Sequence, residues 1–327
     1  MAERRPPQVA RVLERVTKTV RAHRMFARGD RVLVWVSGGP DSLCLLEALV
    51  RLRRLFGIDL EVFHLDHELR TASGMDAAYV RRRAAAHELP CHVRTPSTRP
   101  SPGDSVERWA REERREAAGK IAAEIGAGRS ALGHTMDDRA ETVLLALARG
   151  WGLDGLAGIE PVAGPHVRPL LDIRREETVA ACRALRLRPR IDPTNDDTGY
   201  LRNAIRRDVL PTLAAATGRD VVPTIARTAE LLRADAAMLD ELAIGLGGAA
   251  VERAGGDLAL RVDVLTDLAP PIAARAIRHA LAEAGIEWTQ TAIDGILDLA
   301  MGRPGRRVEL GGGWRARRER ARIVLER

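Results

Sequence analysis

The sequence predicts an α/β protein with a doubly wound, mostly parallel sheet covered by helices on both faces. Short β-branched runs alternate with helical stretches between residues 31 and 149, which is the pattern of such sheets. The length of 327 residues suggests about two domains. Pro211 and Pro223 flank a segment rich in Thr, Ala and Gly, after which long helical spacing begins. We therefore expect a first domain at 1–215 and a smaller helical or α+β domain at 216–327.

The elements follow from the spacing of apolar residues. Apolar side chains from Val9 to Val20 recur at helical intervals and predict a helix over 8–28. The β-branched run Arg31–Val36 predicts a buried strand. Further strands are predicted at 60–65, 91–94, 129–133, 258–262, 307–310 and 323–325, and helices at 43–52, 74–88, 104–125, 136–149, 225–246, 269–284 and 289–301.

Composition excludes several classes of protein. Hydrophobic residues make up 45% and charged residues 30%, which is too apolar for a disordered chain. No apolar run reaches the roughly 18–20 residues that span a bilayer, and residues 1–16 lack the apolar core of a signal peptide. Three scattered cysteines, Cys44, Cys91 and Cys182, are typical of a reducing cytosol. We expect a cytoplasmic protein without a disulfide framework, a zinc site or an iron–sulfur site.

The net charge of +7 is carried almost entirely by arginine, because only Lys18 and Lys120 are lysines. Arginine suits phosphate oxygens, so a polyanionic partner is compatible with this composition. A GC-rich coding sequence would also produce the excess of arginine, and we give that explanation more weight. Charge alone therefore does not identify a nucleic acid as the partner.

A candidate phosphate-binding loop follows the first predicted strand. Its sequence is Ser37-Gly38-Gly39-Pro40-Asp41-Ser42. Adjacent glycines let the backbone turn so that N–H groups converge on an anion at the start of the next helix. Ser37 and Ser42 add hydroxyl donors, and Asp41 is a carboxylate of the type that holds Mg²⁺. A tight turn followed by a helix cap explains the same residues equally well.

The pattern S-G-G-x-D-S resembles the pyrophosphate loop of the N-type ATP pyrophosphatases. Further segments narrow the resemblance, and they occur in the order His64–Arg70, Ser105–Arg115, Gly133–Thr142, Arg149–Gly158, Arg168–Leu171 and Asp192–Arg206. Together they resemble the tRNA(Ile)-lysidine synthetases over about residues 31–215. The C-terminal part is similar to the accessory domain of that family, more loosely. The resemblance implies a Rossmann-like PP-loop fold.

The resemblance also implies a reaction. In that family, ATP activates C2 of the wobble cytidine in an isoleucine tRNA that carries a CAU anticodon. The ε-amine of lysine then displaces AMP and gives lysidine, after pyrophosphate has already left. ATP with Mg²⁺, L-lysine and this tRNA are therefore the expected cofactors and partners. We expect no membrane association, and a homodimer is compatible with this assignment.

Four carboxylates are candidates for binding Mg²⁺. Asp137 and Glu141 are four residues apart and share a helix face, and Asp138 is adjacent. With Asp41 they supply the hard oxygen ligands that hold Mg²⁺ against ATP. We expect Asp41, Asp137 and Glu141 to be catalytic as well. The competing interpretation is a capping box that begins at Thr135, with the acids favoured by the helix N-terminus.

Three residues at strand ends are candidates for contact with the nucleotide. His64 and Asp66 lie at the end of the second predicted strand, and His134 follows the strand at 129–133. We expect all three to contribute to the ATP site with the loop residues. A lone histidine is more often structural, and Asp66 also fits a cap at the end of a strand.

Arginines on the predicted helices match positions of the same family. Arg111 matches the arginine of an A-R-x-x-R pattern and is expected to stabilise charge on the activated intermediate. Arg114 is expected to contact tRNA from the same helix face. Arg115 departs from the family, because an aromatic residue is common there. A solvated face in an arginine-rich segment remains the competing explanation.

Residues near the end of the first domain and in the second are further candidates for tRNA contact. Arg202, Asn203 and Arg206 match the R-N-x-I-R pattern of the family, and Arg315 follows Trp314 in a basic segment. The competing explanation for the first group is salt bridges with nearby aspartates at 196, 197 and 208. For Arg315 it is a solvated surface beside a small core.

Three other functions remain as alternatives. A tRNA-thiolating enzyme of the same fold would need cysteines for sulfur handling, and the chain has no C-x-x-C. A small-molecule amidating ligase is disfavoured by the D-P-x-N and R-N-x-I-R segments. A non-catalytic tRNA-binding protein is disfavoured because Asp41, Asp137, Asp138 and Glu141 are present.

Overall fold

The computed structural model describes residues 6–68, 73–100, 105–190, 201–254 and 257–327. These residues form two compact units, Met1–Glu230 and Leu231–Arg327, and each unit is described by itself. The boundary at residue 215 stays a prediction. Arg70 and the Asp192–Asn195 motif lie outside the described residues.

The first unit contains a six-stranded sheet that confirms the predicted mostly parallel arrangement. Its strands are β1 (Arg31–Trp35), β2 (Asp59–Leu65), β3 (Cys91–Arg94), β4 (Arg129–Ala131), β5 (Val162–Ala163) and β6 (His166–Val167). They lie in the order β3-β2-β1-β4-β6-β5. Every neighbouring pair is parallel except β5 and β6, which are antiparallel. The order reverses between β1 and β4, where ligands bind in sheets of this kind.

Ten helices begin in the first unit as described. They are α1 (Pro7–Ala22), α2 (Pro40–Phe56), α3 (Ser73–Ala85), α4 (Val106–Ile125), α5 (Met136–Ala148), α6 (Leu153–Leu156), α7 (Arg175–Ala184), α8 (Leu201–Ala204), α9 (Leu210–Thr217) and α10 (Val222–Gly247). A π-helical turn, Ile205–Val209, joins α8 to α9. Apolar spacing did not predict α7, because its buried face carries Thr178, Ala181 and Cys182 in place of large aliphatic side chains.

Helices cover both faces of this sheet, as predicted. Along β1, Val32 and Val34 belong to the core that also contains α1, α2 and α7. The alternate residues Leu33 and Trp35 pack with Phe63 and with α4 on the other face. All of these side chains are nearly or fully buried. Burial on both faces explains why the strand sequence is continuously apolar.

The turn after β4 lies directly against the start of α2. A Cβ built on Gly133 would be 3.2 Å from the backbone N and Cα of Ser42. A side chain at this position would force the neighbouring backbone to move by a few tenths of an ångström. The loop after β1 and the loop after β4 are thereby held side by side at the carboxyl edge of the sheet.

The second unit is a smaller α+β domain, as predicted. Its strands are β7 (Val251–Ala254), β8 (Asp257–Arg261), β9 (Arg307–Gly311), β10 (Trp314–Arg318) and β11 (Arg322–Glu326), and its helices are α11 (Val262–Asp267), α12 (Pro270–Glu283) and α13 (Gln290–Met301), with the 3₁₀ turn Gly248–Ala250. The sheet is antiparallel in the order β7-β8-β11-β10-β9. Gly312 and Gly313, both at positive φ, form the turn between β9 and β10.

Among the described residues, no helix is both long and apolar enough to cross a membrane.

We predict that Gly133→Ala weakens the first unit. The added methyl must push against backbone atoms, so we expect the free energy of unfolding to fall by about 1–3 kcal/mol. Affinity for ATP, the nucleotide that the resemblance implies, should fall with it, since the displaced backbone begins α2. Chemical denaturation and calorimetric ATP titration measure the two effects.

Gly128→Ala is the matched control, because a Cβ there meets nothing within 4 Å. Equal stability and equal ATP affinity of the two variants would contradict the prediction.

Candidate active site

The loop after β1 is closed by its own hydroxyl groups. The backbone N–H of Ser37 donates to Oγ of Ser42 at 3.2 Å, and that hydroxyl donates to the carbonyl of Gly39 at 3.0 Å. Gly38 has φ +93, a conformation that favours glycine. Pro40 occupies the first turn of α2, where its missing N–H leaves no bond unmade. The free N–H groups at the start of α2 remain available to an anion.

This loop forms one wall of a cleft of about 540 Å³. Of the predicted site residues, those that line the cleft are Ser37, Gly39, Pro40, Asp41, Ser42, His64, Asp66, Arg114, His134, Asp138 and Arg206. The apolar side chains Trp35, Phe63, Leu65 and Leu132 line it as well. Gly38, Arg111, Asp137, Glu141, Arg202 and Asn203 are not among the lining residues.

Both predicted histidines are neutral and fixed. Burial lowers the pKa of His64, and its Nδ1 is 2.7 Å from the carbonyl oxygen of Val36. Burial lowers the pKa of His134 to about 4, and Arg168 donates to its Nδ1 at 3.2 Å. His134 therefore accepts a hydrogen bond as a neutral imidazole. Asp66 accepts a hydrogen bond from the backbone N–H of Glu68 at 3.1 Å.

An arginine that the sequence analysis did not select lies among three of the predicted carboxylates. The guanidinium of Arg175 donates to Asp41 at 3.3 Å, to Asp138 at 2.9 Å and to Glu141 at 2.9 Å. Thr178, one turn further along α7, also donates to Asp41. A single guanidinium thus connects the N-terminal regions of α2, α5 and α7.

The environment separates the pKa values of these acids. Burial raises the pKa of Asp41 to about 6, although Arg175 and Thr178 oppose the shift. Burial also opposes ionisation of Asp138, but Arg175 and Arg202 outweigh it and the pKa falls to about 2. The pKa of Glu141 is lowered as well, because hydrogen bonds from Arg206 and the charges of the arginines exceed the effect of burial.

Arg202 and Arg206 contact the same acids. Arg202 donates to Glu141 at 2.9 Å and to Asp138 at 3.1 Å, and Arg206 donates to Glu141 at 2.7 and 3.1 Å. Glu141 is fully buried. Of the aspartates considered in the sequence analysis, those at 196 and 197 lie outside the described residues. Asn203 lies on α8 between Arg202 and the π-helical turn that carries Arg206, and it is partly exposed.

Asp137 faces away from that cluster. Its carboxylate accepts hydrogen bonds from the guanidinium of Arg174 at 3.1 and 3.2 Å and from the backbone N–H of Arg175 at 2.8 Å. Asp138 instead bonds Thr135 through the capping box considered above, at 2.7 and 2.9 Å. Asp138 therefore caps the start of α5 and also lines the cleft.

The four carboxylates do not form a magnesium site as they stand. Three acids, Asp41, Asp138 and Glu141, are balanced by the three guanidiniums described above, and Asp137 bonds elsewhere. In the part of the chain that the structure describes, no group of three or more acids, histidines or cysteines is placed to hold a metal ion. The predicted ligand set thus does not fit a resident metal ion.

Among the remaining candidate arginines, Arg114 and Arg315 have other partners than the acids of the cluster. Arg114 donates to Nε2 of His67 at 2.9 Å within the cleft. Arg111 is exposed on α4. In the second unit, Arg315 on β10 donates to Glu326 on β11 at 3.0 Å.

The sequence contained one signal for Arg175. Arg174 and Arg175 occupy the N-cap and first positions of α7, where the helix dipole disfavours positive charge. Adjacent arginines at that position require acids from elsewhere, and Asp137 and Asp138 provide them. The signal was hidden because α7 itself was not predicted.

Known proteins resemble this chain over both units. Residues 8–213 match the PP-loop domain family, and residues 260–324 match the TilS substrate binding domain. The chain is 45% identical to the tRNA(Ile)-lysidine synthase of Symbiobacterium thermophilum over 71% of this chain and 49% of that one. It is 37% identical to that of Dehalococcoides mccartyi over 91% of this chain and 66% of that one. With that of Nocardia farcinica it shares 37% identity over 90% and 92% of the two chains.

The chain therefore spans about half to two thirds of the first two relatives and most of the third. Among solved structures, the U34-tRNA thiolase NcsA from Methanococcus maripaludis with its [4Fe-4S] cluster is similar at a TM-score of 0.58. The identity is 16%, over 69% of this chain and 80% of that one. This likeness shows a shared fold.

We predict that Asp41 makes stability depend on pH between about 4 and 6. Its folded pKa of about 6 lies above the ordinary value of 3.8, so the folded state binds this proton more tightly. The stabilisation is complete below pH 3.8 and is lost as the pH rises through 6. Relative to Asp41→Asn, the wild type should lose up to about 3 kcal/mol. Denaturation at a series of pH values measures the difference, and parallel curves would contradict it.

Proposed function

The chain belongs to the tRNA(Ile)-lysidine synthase family, and we propose that it ligates lysine to C2 of the wobble cytidine of an isoleucine tRNA with a CAU anticodon. The observation that carries the proposal is a cleft that is lined by a phosphate-type loop and by Asp138, Arg175 and Arg206 of the charge-balanced cluster. A match to the PP-loop domain family accounts for the use of ATP. A match to the TilS substrate binding domain supports tRNA as the second substrate.

We propose two chemical steps. The C2 oxygen of the cytidine attacks the α-phosphorus of ATP, the bond to the bridging oxygen breaks, and pyrophosphate leaves. The ε-amine of lysine then attacks C2, the bond between C2 and the AMP oxygen breaks, and the amine loses a proton. Both steps depend on holding the reactants in line and on stabilising negative charge on phosphate.

Residues of the loop, of the cleft and of the helix α4 have proposed roles in these steps. The loop Ser37–Ser42 is proposed to hold the phosphates at the positive end of α2, with the Ser42 hydroxyl turning from its partner inside the loop to a phosphate oxygen. The apolar wall that includes Phe63, Leu65 and Leu132 suits a nucleobase. Arg111 and Arg114, on one helix, are proposed to meet negative charge on the intermediate or on tRNA phosphates.

Magnesium is proposed to enter with ATP, because Mg²⁺ in such sites is held largely by substrate phosphates and water. Bound there, it would neutralise phosphate charge. Asp41 is the carboxylate in the phosphate loop and is the residue we propose to face it. Asp138 and Glu141 are proposed to remain with their arginines and to keep those guanidiniums in place.

Arg202, Asn203 and Arg206 are proposed to act at the same cluster, with tRNA contact as a second role. Arg315 is proposed to contact tRNA from the second unit. L-lysine as the amine donor, a cytoplasmic location and a homodimer are also proposals.

The sulfur chemistry of a thiolating enzyme is not favoured. Burial raises the pKa of Cys182 to about 12 and also raises the pKa values of Cys44 and Cys91. Sulfur transfer requires a thiolate. With these raised pKa values all three thiols are neutral near pH 7, so none of them supplies a thiolate.

Nucleoside mass analysis tests the function. The full chain is incubated with ATP, Mg²⁺, lysine and the CAU-anticodon isoleucine tRNA, and the RNA is then digested. We expect one cytidine to gain the mass of lysine minus one water. Sulfur in place of oxygen would indicate thiolation instead. Unmodified RNA from a folded protein that binds this tRNA would indicate a non-catalytic binding module.

We predict that Asp41→Ala lowers the rate of modification at least about 100-fold, because the phosphate loop loses its carboxylate. The affinity for tRNA should stay within about two-fold. Asp59→Ala is the control, since Asp59 is exposed at the start of β2, at the opposite edge of the sheet. Loss of tRNA binding together with activity in Asp41→Ala would contradict this role.

A further inference from the structure

An exposed tryptophan follows α5 and takes no part in the cleft. Trp151 is 52% exposed although tryptophan gains more than most residues from burial. Leu147, one turn earlier on the helix, is 62% exposed. Nothing in the proposed chemistry uses either side chain.

The backbone of Trp151 is fixed by the way α5 ends. Gly150 has φ +68, and its N–H donates to the carbonyl of Leu147 at 3.1 Å. The N–H of Trp151 donates to the carbonyl of Ala146 at 2.9 Å. These two bonds form the Schellman arrangement, which completes a helix C-terminus. Trp151 therefore has a fixed position relative to the helix that carries Asp138 and Glu141.

The indole is also held in place. A Cβ on Gly155 would lie 2.6 Å from Cβ of Trp151 and 3.1 Å from its Cε3, so the indole rests on the backbone of α6. The guanidinium carbon of Arg149 is 5.5 Å from the centroid of the ring. The side chain is therefore oriented by its neighbours on the protein and keeps about half of its surface open to solvent.

We propose that Trp151 and Arg149 form a stacking site for one unpaired base of the bound tRNA, an inference that rests on the proposed function. Unpaired bases stack on aromatic side chains and on guanidinium planes, and every base offers a suitable face. Arg149 adds the positive charge that a neighbouring phosphate requires.

The exposed surface matches one nucleotide in size and in charge. An indole buries about 150–250 Å², which is enough for one stacked base, and the guanidinium of Arg149 beside the ring supplies positive charge for the adjoining phosphate. Helix α5 has 13 residues and is about 20 Å long, so the stacked nucleotide is a different one from the cytidine in the cleft.

Variants of Trp151 test the inference by their affinity for the CAU-anticodon isoleucine tRNA at one fixed salt concentration. Trp151→Ala should weaken binding about 5- to 100-fold, as for the loss of one stacked base. Trp151→Phe should restore most of the affinity, because it keeps an aromatic face. Trp151→Leu should remain weak, because it keeps apolar area without that face.

Leu55→Ala is the matched control, since Leu55 is 51% exposed near the end of α2. It should bind tRNA as the wild type does. Tryptophan fluorescence gives a second readout: tRNA should quench the wild type, and Trp151→Phe should lose part of the quenching. This readout still applies if the alanine variant fails to fold.

Wild-type affinity of Trp151→Ala, or undiminished quenching in Trp151→Phe, would overturn the stacking site while leaving the proposed function intact. A wild-type chain that neither binds nor modifies the tRNA would instead count against the proposed function. A change in oligomeric state of Trp151→Ala with unchanged tRNA affinity would assign the surface to a second copy of the chain, and would also overturn the inference.

Discussion

The site depends on the ion-pair cluster centred on Arg175. Its guanidinium bonds one carboxylate from α2 and two from α5, while its own backbone N–H bonds Asp137. Buried carboxylates are costly unless they are paired and hydrogen-bonded. Glu141 is fully buried, so it is tolerated only because Arg175, Arg202 and Arg206 surround it. Removing one partner from such a cluster leaves the others uncompensated.

The topology of the sheet makes this cluster possible. Parallel strands with helical crossovers place the starts of α2 and α5 together where the strand order reverses. Gly133 keeps the two loops in backbone contact, and α7 brings Arg174 and Arg175 to the same edge. Helix N-termini supply partial positive charge for phosphates. The acids are neutralised by their own arginines, so they do not cancel that attraction.

Shared fold does not decide the chemistry. The first unit has the same fold as a thiolase that carries an iron–sulfur cluster. The three cysteines of the first unit are neutral thiols. Widespread folds carry different activities on the side chains of their sites. In the first unit the side chains at the carboxyl edge of the sheet are the loop hydroxyls, arginines and paired acids described above.

The sequence by itself determined the sheet class, most elements, the place of the loop Ser37–Ser42 and the family, because these depend on local periodicity and on short contiguous motifs. Apolar runs such as Arg31–Val36 define strands, and Ser37–Ser42 is contiguous. Only the tertiary structure decided the partners of the acids. Arg175 lies 134 positions from Asp41. It belongs to a helix whose buried residues are small, so the apolar spacing did not indicate a helix there. Ion pairing between distant segments follows from how the helices pack, and sequence spacing does not carry that information.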